Sequence, residues 1–172
     1  MQPMKYVQDN LLQNEKMIYG VRPHWVIFSS GCWAMLGSIY IFLFAPMQFS
    51  YAIFQTWSIR EIASTALFLL SAYWLTNAYI YYITSEYAVT NKRVVIKTGW
   101  IKRASLELML DKVEGVLVDQ TIIGRIFNYG AITIIGTGGT RDRFPFIPEP
   151  LEFRRVVQQA VDDFEHQMGR PS

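Results

Sequence analysis

The sequence is poor in the residues that build catalytic and metal centres. It contains one cysteine, Cys32, and two histidines, His24 and His166. A single cysteine excludes an internal disulfide and a cysteine cluster for a metal, and the two histidines lack the spacing of zinc ligands. Ser85 and Ser105 have no histidine near them in the sequence, and no G-x-S-x-G motif marks a serine hydrolase. We therefore predict that the protein is not an enzyme and that it holds no cofactor and no metal ion.

Charged residues are also scarce. They make up 17% of the chain, whereas hydrophobic residues make up 51% and aromatic residues 15%. Soluble domains usually carry about 25% charged residues, so this composition favours a membrane protein. The net charge of +2 is too small to indicate a nucleic-acid partner. With 172 residues, the chain is long enough for about one domain.

Two long runs, residues 25–45 and residues 62–85, have no charged side chain. At ~1.5 Å per residue, a helix of either length would cross a hydrocarbon core of ~30 Å. A cleaved signal peptide is the alternative for the first run, but 24 residues precede it and no small-x-small cleavage site follows it. Gly31 and Gly37 would let a neighbouring helix approach closely. The two runs therefore predict a transmembrane helical hairpin over residues 25–85.

The cations around these runs predict the orientation of the hairpin. Residues 46–61 connect the runs, are rich in aromatic side chains that favour the bilayer interface, and carry Arg60 as their one cation. Other lysines and arginines precede the first run or follow the second. Because cytoplasmic loops carry an excess of Lys and Arg, we predict a multi-pass membrane protein with both termini in the cytoplasm. Residues 1–24 would then be a cytoplasmic N-terminal segment.

Beyond residue 85 the hydrophobic pattern alternates, with turn residues at short intervals, which is typical of a compact antiparallel β unit. The predicted strands lie in EYAVT, RVVIKTG, WIKRASLELML, KVEGVLVDQ and AITIIG, and AITIIG is the last of them. The prolines of FPFIPEP exclude a central strand there, and a helix begins near Pro150 or Leu151. Its apolar residues recur at helical spacing and predict a stripe that packs on the sheets. The stripe consists of Phe153, Val156, Val157, Ala160, Val161, Phe164 and Met168.

Two glycine-containing segments invite a functional interpretation. The consecutive glycines of GTGGT, residues 136–140, can direct backbone N–H groups at a phosphate. A Walker loop, however, needs a lysine and a following helix, and here the glycines lead into RDRFPF, which starts no helix. A tight turn that requires positive φ is the better interpretation, and GRIFNYG is interpreted as a turn in the same way.

Three segments together resemble a known family. YAVTNKRVVIKTGWIKR, LDKVEGVLVDQTIIGRIFNYGAITIIGTGG and FPFIPEPLEFRRVV are similar, in order and spacing, to the bacterial pleckstrin-homology domains of the membrane-anchored, YdbS-like type. The resemblance covers about half of the chain, and NEKMIYGVRPHW, upstream, is similar to the same family. It implies an α+β fold: a membrane hairpin, then a PH-like β-barrel of two antiparallel sheets capped by the C-terminal α-helix, over residues 86–168. It also implies the inner membrane of a bacterium, and it does not imply a reaction.

The cations of the tail have two interpretations. They can contact anionic headgroups, since each cation near an anionic leaflet contributes ~1 kcal/mol of attraction. Alternatively, they set the topology and solvate exposed strand edges. The candidate headgroup contacts are Lys92, Arg93, Lys97, Lys102, Arg103, Arg141 and Arg143.

Two functions are consistent with these patterns. The first is a non-enzymatic, membrane-anchored interaction module whose barrel binds an unidentified membrane or cytoplasmic protein, or assembles with further copies as a homo-oligomer. The alternative is a module that binds or senses anionic phospholipids. Transport by the hairpin is disfavoured, because ion pathways are usually marked by charged residues and the two runs contain none.

Overall fold

The computed structural model describes residues 4–44, 59–99 and 104–169. The chain forms two compact units. One unit consists of Trp25–Ile80, and the other combines Met1–His24 with Tyr81–Ser172. The predicted N-terminal segment, residues 1–24, is therefore not separate from the predicted domain, residues 86–168. Together they build one unit, which the helical unit interrupts in the sequence.

The helical unit contains two long helices, α2 (Ser29–Phe44) and α3 (Ile59–Thr84). A Cβ atom at Gly31 would lie 2.7 Å from the Leu75 side chain, so the predicted close approach of a second helix at this glycine is confirmed. In each helix two buried small residues lie seven positions apart, which keeps one face of the helix small. These residues are Gly31 and Ser38 in α2 and Ser64 and Ser71 in α3.

One helical stretch in the described residues is long and apolar enough to cross a membrane. It covers Trp25–Phe44, where a 3₁₀ turn precedes α2. α3 has 26 residues and contains residues 62–84 of the second predicted span, but serine, threonine, asparagine and tyrosine side chains interrupt its apolar sequence. The second span therefore stays a prediction. Most of the predicted aromatic connection, residues 46–58, lies outside the described residues.

The first antiparallel sheet has four strands in the order β1-β2-β3-β4. Strands β2 (Glu86–Thr90), β3 (Arg93–Thr98) and β4 (Ala104–Met109) lie within the predicted segments. β1 (Met17–Val21) was not predicted: it precedes the helical unit in the sequence and pairs with β2. Its five residues contain an interior glycine, which weakens a strand pattern.

The second antiparallel sheet contains β5 (Val113–Asp119), β6 (Tyr129–Gly136) and β7 (Thr140–Pro148), in that order. The prediction that AITIIG is the last strand is wrong, because β7 follows it. As an edge strand, β7 tolerates its prolines, since the missing N–H groups can fall on the unpaired side. The glycines of GTGGT form the predicted turn, with φ of 95° at Gly138 and 79° at Gly139.

The hydrophobic core lies between the two sheets and the C-terminal helix α5 (Pro150–Gln167). The predicted alternation is confirmed, because inward-facing residues of both sheets are buried there. The predicted stripe of α5 packs on the same core except for Met168, which is exposed because α5 ends at Gln167. The fully buried residues of the main core include Tyr87, Val89, Val94, Ile96, Ile132, Ile134, Ile147, Phe153 and Val157.

A smaller apolar cluster covers the outer face of the first sheet. Met4 and Val7, at the short helix α1 (Lys5–Asp9), are buried against Ala88 of β2 and Val95 of β3. Side chains of β2 and β3 that point away from the main core therefore meet the N-terminal segment instead of solvent. Any predicted cation of β3 that points to this face therefore lies next to the N-terminal segment.

Candidate interaction surface

Arg93 lies in a buried ionic cluster and not on an exposed cationic face. Its Nε donates to Glu15 Oε1 at 3.0 Å and its Nη2 donates to Glu15 Oε2 at 3.1 Å. Its Nη1 donates to Glu107 at 2.5 Å, and Nη2 also reaches the Asn10 carbonyl oxygen at 2.8 Å. Only 10% of the Arg93 side chain is exposed. To contact Arg93, a headgroup would have to displace these acceptors, which occupy its donors and bury it.

Glu15 is the buried acceptor at the centre of this cluster. It also accepts hydrogen bonds from the Leu12 amide at 2.6 Å and from the Thr90 hydroxyl at 2.8 Å. Burial alone would raise the pKa of Glu15, but these two bonds and the Arg93 guanidinium outweigh burial and hold its pKa below the ordinary value. The charged cluster thus fastens the N-terminal segment to the turn between β2 and β3.

We expect this cluster to make the domain sensitive to acid. Because the pKa of Glu15 is lower in the folded than in the unfolded state, its stabilising contribution is complete above an unfolded pKa of about 4.3. That contribution is lost as the pH falls through the folded pKa. Thermal denaturation of the full chain in detergent, followed by the circular-dichroism band of the sheets at about pH 6 and about pH 3, measures the loss.

The Glu15→Gln variant should be less stable at neutral pH but should lose less stability on acidification than the unchanged chain. Glu114→Gln, at an exposed position of β5, is the matched control and should keep the full acid dependence. If the stability of Glu15→Gln depended on pH as that of Glu114→Gln does, Glu15 would not be the source of the acid sensitivity.

Lys92 and Lys97 both contact the N-terminal segment. Nζ of Lys92 donates to the Gln13 carbonyl oxygen at 2.7 Å. Nζ of Lys97 lies 3.9 Å from the centroid of the Tyr6 ring, in a cation–π contact. Both lysines are half-buried, so a headgroup would have to compete with these contacts. The predicted contacts Lys102 and Arg103 lie outside the described residues.

The last two predicted cations lie on the second sheet. On β7, Arg143 is opposite Thr133 of β6, and Thr133 is in turn opposite Leu117 of β5. Arg141 is opposite Ile135 in the same way. Directly paired residues point to the same face of a sheet. The two arginines therefore lie along one edge of a strip that consists of Leu117, Thr133 and Ile135. Leu117 is 52% exposed there.

Charges of both signs border this strip. Arg143 Nε lies 3.9 Å from Asp119 Oδ2, and both side chains are 66% exposed. We call this surface the outer sheet face. It consists of Leu117 and Asp119 on β5, Thr133 and Ile135 on β6, and Arg141 and Arg143 on β7.

The order of these elements, two long helices followed by two sheets and a C-terminal helix, can be compared with known proteins. The sequence profile described as "Bacterial PH domain" matches residues 34–161, well over half of the chain. The chain belongs to the bacterial PH domain family. The matched region of this PH domain protein begins within α2, so it includes β2 to β7 but not β1. PH domain families are generally non-catalytic.

A solved PH domain structure shows a limited similarity. It is a DUF1696 family protein with a pleckstrin-homology domain from Shewanella loihica PV-4, with 12% sequence identity and a TM-score of 0.36. The similarity covers 48% of this chain and 72% of that chain. No curated protein matches this chain. Within the described residues, no group of three or more His, Cys, Asp or Glu side chains is arranged to hold a metal ion.

Two features of this PH-like domain were not predicted from the sequence. No sequence motif marks Glu15 and Glu107 as partners of Arg93. The short segment before the helices has no clear strand pattern, so β1 was not predicted. One signal was available, because NEKMIYGVRPHW begins at Asn14 and contains both Glu15 and β1. Its similarity to the family did not show that it supplies an edge strand of the first sheet.

Proposed function

We propose that the protein is a non-enzymatic interaction module held at the cytoplasmic face of a bacterial inner membrane by a two-helix hairpin. Its PH-like domain would present the outer sheet face to a protein partner or to a further copy of the chain. Membrane lipids would surround the hairpin. No cofactor, metal ion or nucleic acid has a part in this function.

The pairing of β1 with β2 supports the hairpin. β1 precedes the helical unit and β2 follows it, and an antiparallel ladder joins them, so both strands lie on the same side of any membrane. If Trp25–Phe44 crosses the bilayer, the chain has to cross back before β2. In the described part of the chain, α3 is the one long helix available for that return. The excess of Lys and Arg on this side indicates the cytoplasm.

The surfaces of the two helices support a lipid environment. They bury small residues, whereas large apolar side chains such as Trp33, Tyr40 and Phe44 are exposed, Trp33 by 74%. Soluble domains bury most large apolar residues. Helices in membranes associate through small residues instead, so this arrangement fits a hairpin that lipid surrounds.

The mixed charge of the outer sheet face is the observation that carries the interaction role. Arg141 and Arg143 would attract anionic headgroups, but Asp119 on the same face would repel them. A protein partner can match charges of both signs around an apolar centre such as Leu117, and complementary charges of this kind provide specificity. The face therefore fits a protein better than a uniformly anionic surface.

Photo-crosslinking tests this role. With a photoreactive amino acid at position 117 of the full chain in native membranes, we expect a crosslinked product of defined mass. Charge reversal with Arg141→Glu and Arg143→Glu should abolish it, because the partner would lose its complementary charges. Mixing tagged and untagged chains separates self-assembly from a different protein. The same amino acid at Gln159, exposed on α5, is the control, and equal labelling from both positions would refute the proposed face.

The alternative function, binding or sensing of anionic phospholipids, has one observation in its favour. Arg141 and Arg143 are exposed on one edge strand and point to the same face. In that case the photoreactive group would attach to lipid and not to protein. The lipid adduct would also decline as salt is added, because exposed charges are screened over ~8 Å at physiological ionic strength.

A further inference from the structure

The short helix α4 (Ile122–Ile126), between β5 and β6, exposes an apolar face. Ile122 is 79% exposed, Ile126 73% and Ile123 58%, and Phe127, directly after the helix, is 47% exposed. α4 has no acidic residue, and its one charged side chain is Arg125. An exposed apolar patch of this kind usually marks a contact with a partner or a membrane. The prediction that this segment is only a turn is therefore incomplete.

The buried side of α4 is fixed to the domain. The Thr121 hydroxyl accepts a hydrogen bond from the Gly124 amide at 3.0 Å, which caps the start of the helix. A Cβ atom at Gly124 would lie 2.6 Å from the Tyr129 carbonyl oxygen, so the helix backbone lies directly against β6. Gln120 donates to the same carbonyl oxygen at 3.2 Å. Because this side is closely packed, the isoleucines of α4 stay turned away from the domain.

The end of α4 lies beside the point where the chain leaves the domain for the first helix. The His24 ring stacks on Tyr129, with centroids 5.2 Å apart, and its side chain hydrogen-bonds the backbone of Phe127. The His24 amide donates to the Phe146 carbonyl oxygen at 2.6 Å. The next residue, Trp25, begins the candidate span. If this stretch crosses a bilayer, the bilayer surface lies close to His24 along the chain.

Where the chain returns to the domain, Tyr81 is linked to β7 through Tyr87. The Tyr81 and Tyr87 hydroxyls lie 3.0 Å apart, and the Tyr87 hydroxyl donates to the Pro145 carbonyl oxygen at 3.5 Å. Pro145 directly precedes Phe146, which binds His24. Phe146 has a φ of 61°, an unfavourable conformation for an aromatic residue that the surrounding contacts maintain. Residues near both connections thus reach neighbouring carbonyl groups of β7, His24 directly and Tyr81 through Tyr87.

We propose that α4 inserts its apolar face into the surface of the bilayer that holds the hairpin. Ile122, Ile123, Ile126 and Phe127 would lie among the acyl chains, and Arg125 would extend to the headgroups, as arginines at membrane interfaces do. Lipid is the occupant that the position favours, because the span begins directly after the residue that contacts Phe127. The inference rests on the membrane anchorage in the proposed function and is independent of the outer sheet face. It gives the domain a third attachment to the membrane and limits its rotation.

Lipid-borne quenchers test this insertion in the full chain. Single-cysteine variants carry an environment-sensitive fluorophore and are reconstituted in vesicles of phosphatidylcholine and phosphatidylglycerol with a quencher on the acyl chain. The chain labelled at its own Cys32, exposed on α2, reports the anchorage. Cys32→Ser/Ile123→Cys reports α4, and Cys32→Ser/Gln159→Cys is the control on α5. We expect quenching at position 123 that approaches the Cys32 value and is several-fold greater than at position 159.

The outcomes separate the insertion from the anchorage. Quenching at position 32, with position 123 quenched no more than position 159, would overturn the insertion and leave the anchorage intact; α4 would then be free for a protein or a second copy. Absence of quenching at all three positions would overturn both. The Cys32→Ser/Ile126→Cys variant repeats the test at a second exposed position, so a folding defect of one variant does not decide the result.

Discussion

Replacement of Arg93 with methionine should lower the free energy of unfolding of the PH-like domain by about 3–5 kcal/mol. The Glu15 side chain, which is fully buried, would lose its charged partner and keep its own charge. Methionine has a similar length and is apolar, so the loss would come mainly from the unpaired carboxylate and not from a cavity. Total stabilities of domains are about 5–15 kcal/mol. Thermal denaturation in detergent, followed by the circular-dichroism band of the sheets, measures the change.

Two further variants test the cause of this loss. The double variant Arg93→Met/Glu15→Gln removes the buried charge but keeps an acceptor for the Leu12 amide, so it should be more stable than Arg93→Met alone. Arg155→Met removes an exposed pair with Glu152 and should leave the midpoint nearly unchanged, because exposed ion pairs contribute little. Similar losses in Arg93→Met and Arg155→Met would contradict a special role for the buried cluster.

The strands that the sequence predicted correctly are those in which alternation and turn residues agree. β2 and β3 are joined at Asn91 and Lys92, and β6 ends at the glycines of a turn, so local pattern and fold coincide. β7 was missed because its prolines argue against a strand. Its place at the edge of the sheet removes that objection, but sequence pattern alone does not show which strand is at an edge.

The candidate site was harder to predict because its contacts are distant in the sequence. Arg93 is a typical exposed cation by sequence, yet its partner Glu15 is 78 residues away. α4 was interpreted as a turn, since Gly124 and Asn128 are turn residues and the exposure of its isoleucines depends on packing against β6. Arg141 and Arg143 were predicted as cations of one group, but strand pairing is what brings the Asp119 carboxylate of β5 next to Arg143.

The position of the domain boundary has a large expected effect on folding. A fragment of residues 86–172 follows the boundary that the sequence predicted, and we expect it not to fold. It lacks β1, which pairs along β2, and it lacks Met4 and Val7, which are buried on the outer face of the first sheet. Full burial of one such side chain contributes roughly 1.5–3 kcal/mol. It also lacks Glu15, so Arg93 loses its principal partner, and these losses together approach the whole stability of a domain.

A fragment that joins residues 1–24 to residues 81–172 through a short glycine-serine linker should fold, because it keeps β1 and Glu15 and because both ends have contacts near Pro145 and Phe146. The His24 amide binds the Phe146 carbonyl oxygen, and Tyr81 contacts Tyr87, whose hydroxyl binds the Pro145 carbonyl oxygen. Circular dichroism and resistance to proteolysis compare the two fragments. Residues 1–24 added as a separate peptide should restore the sheet signal of fragment 81–172, whereas the same peptide with Glu15→Lys should not, since it would place a second cation beside Arg93. If fragment 86–172 alone gave a cooperative unfolding transition equal to that of the linked fragment, β1 would be an accessory to the PH-like sheet and not part of its folding unit.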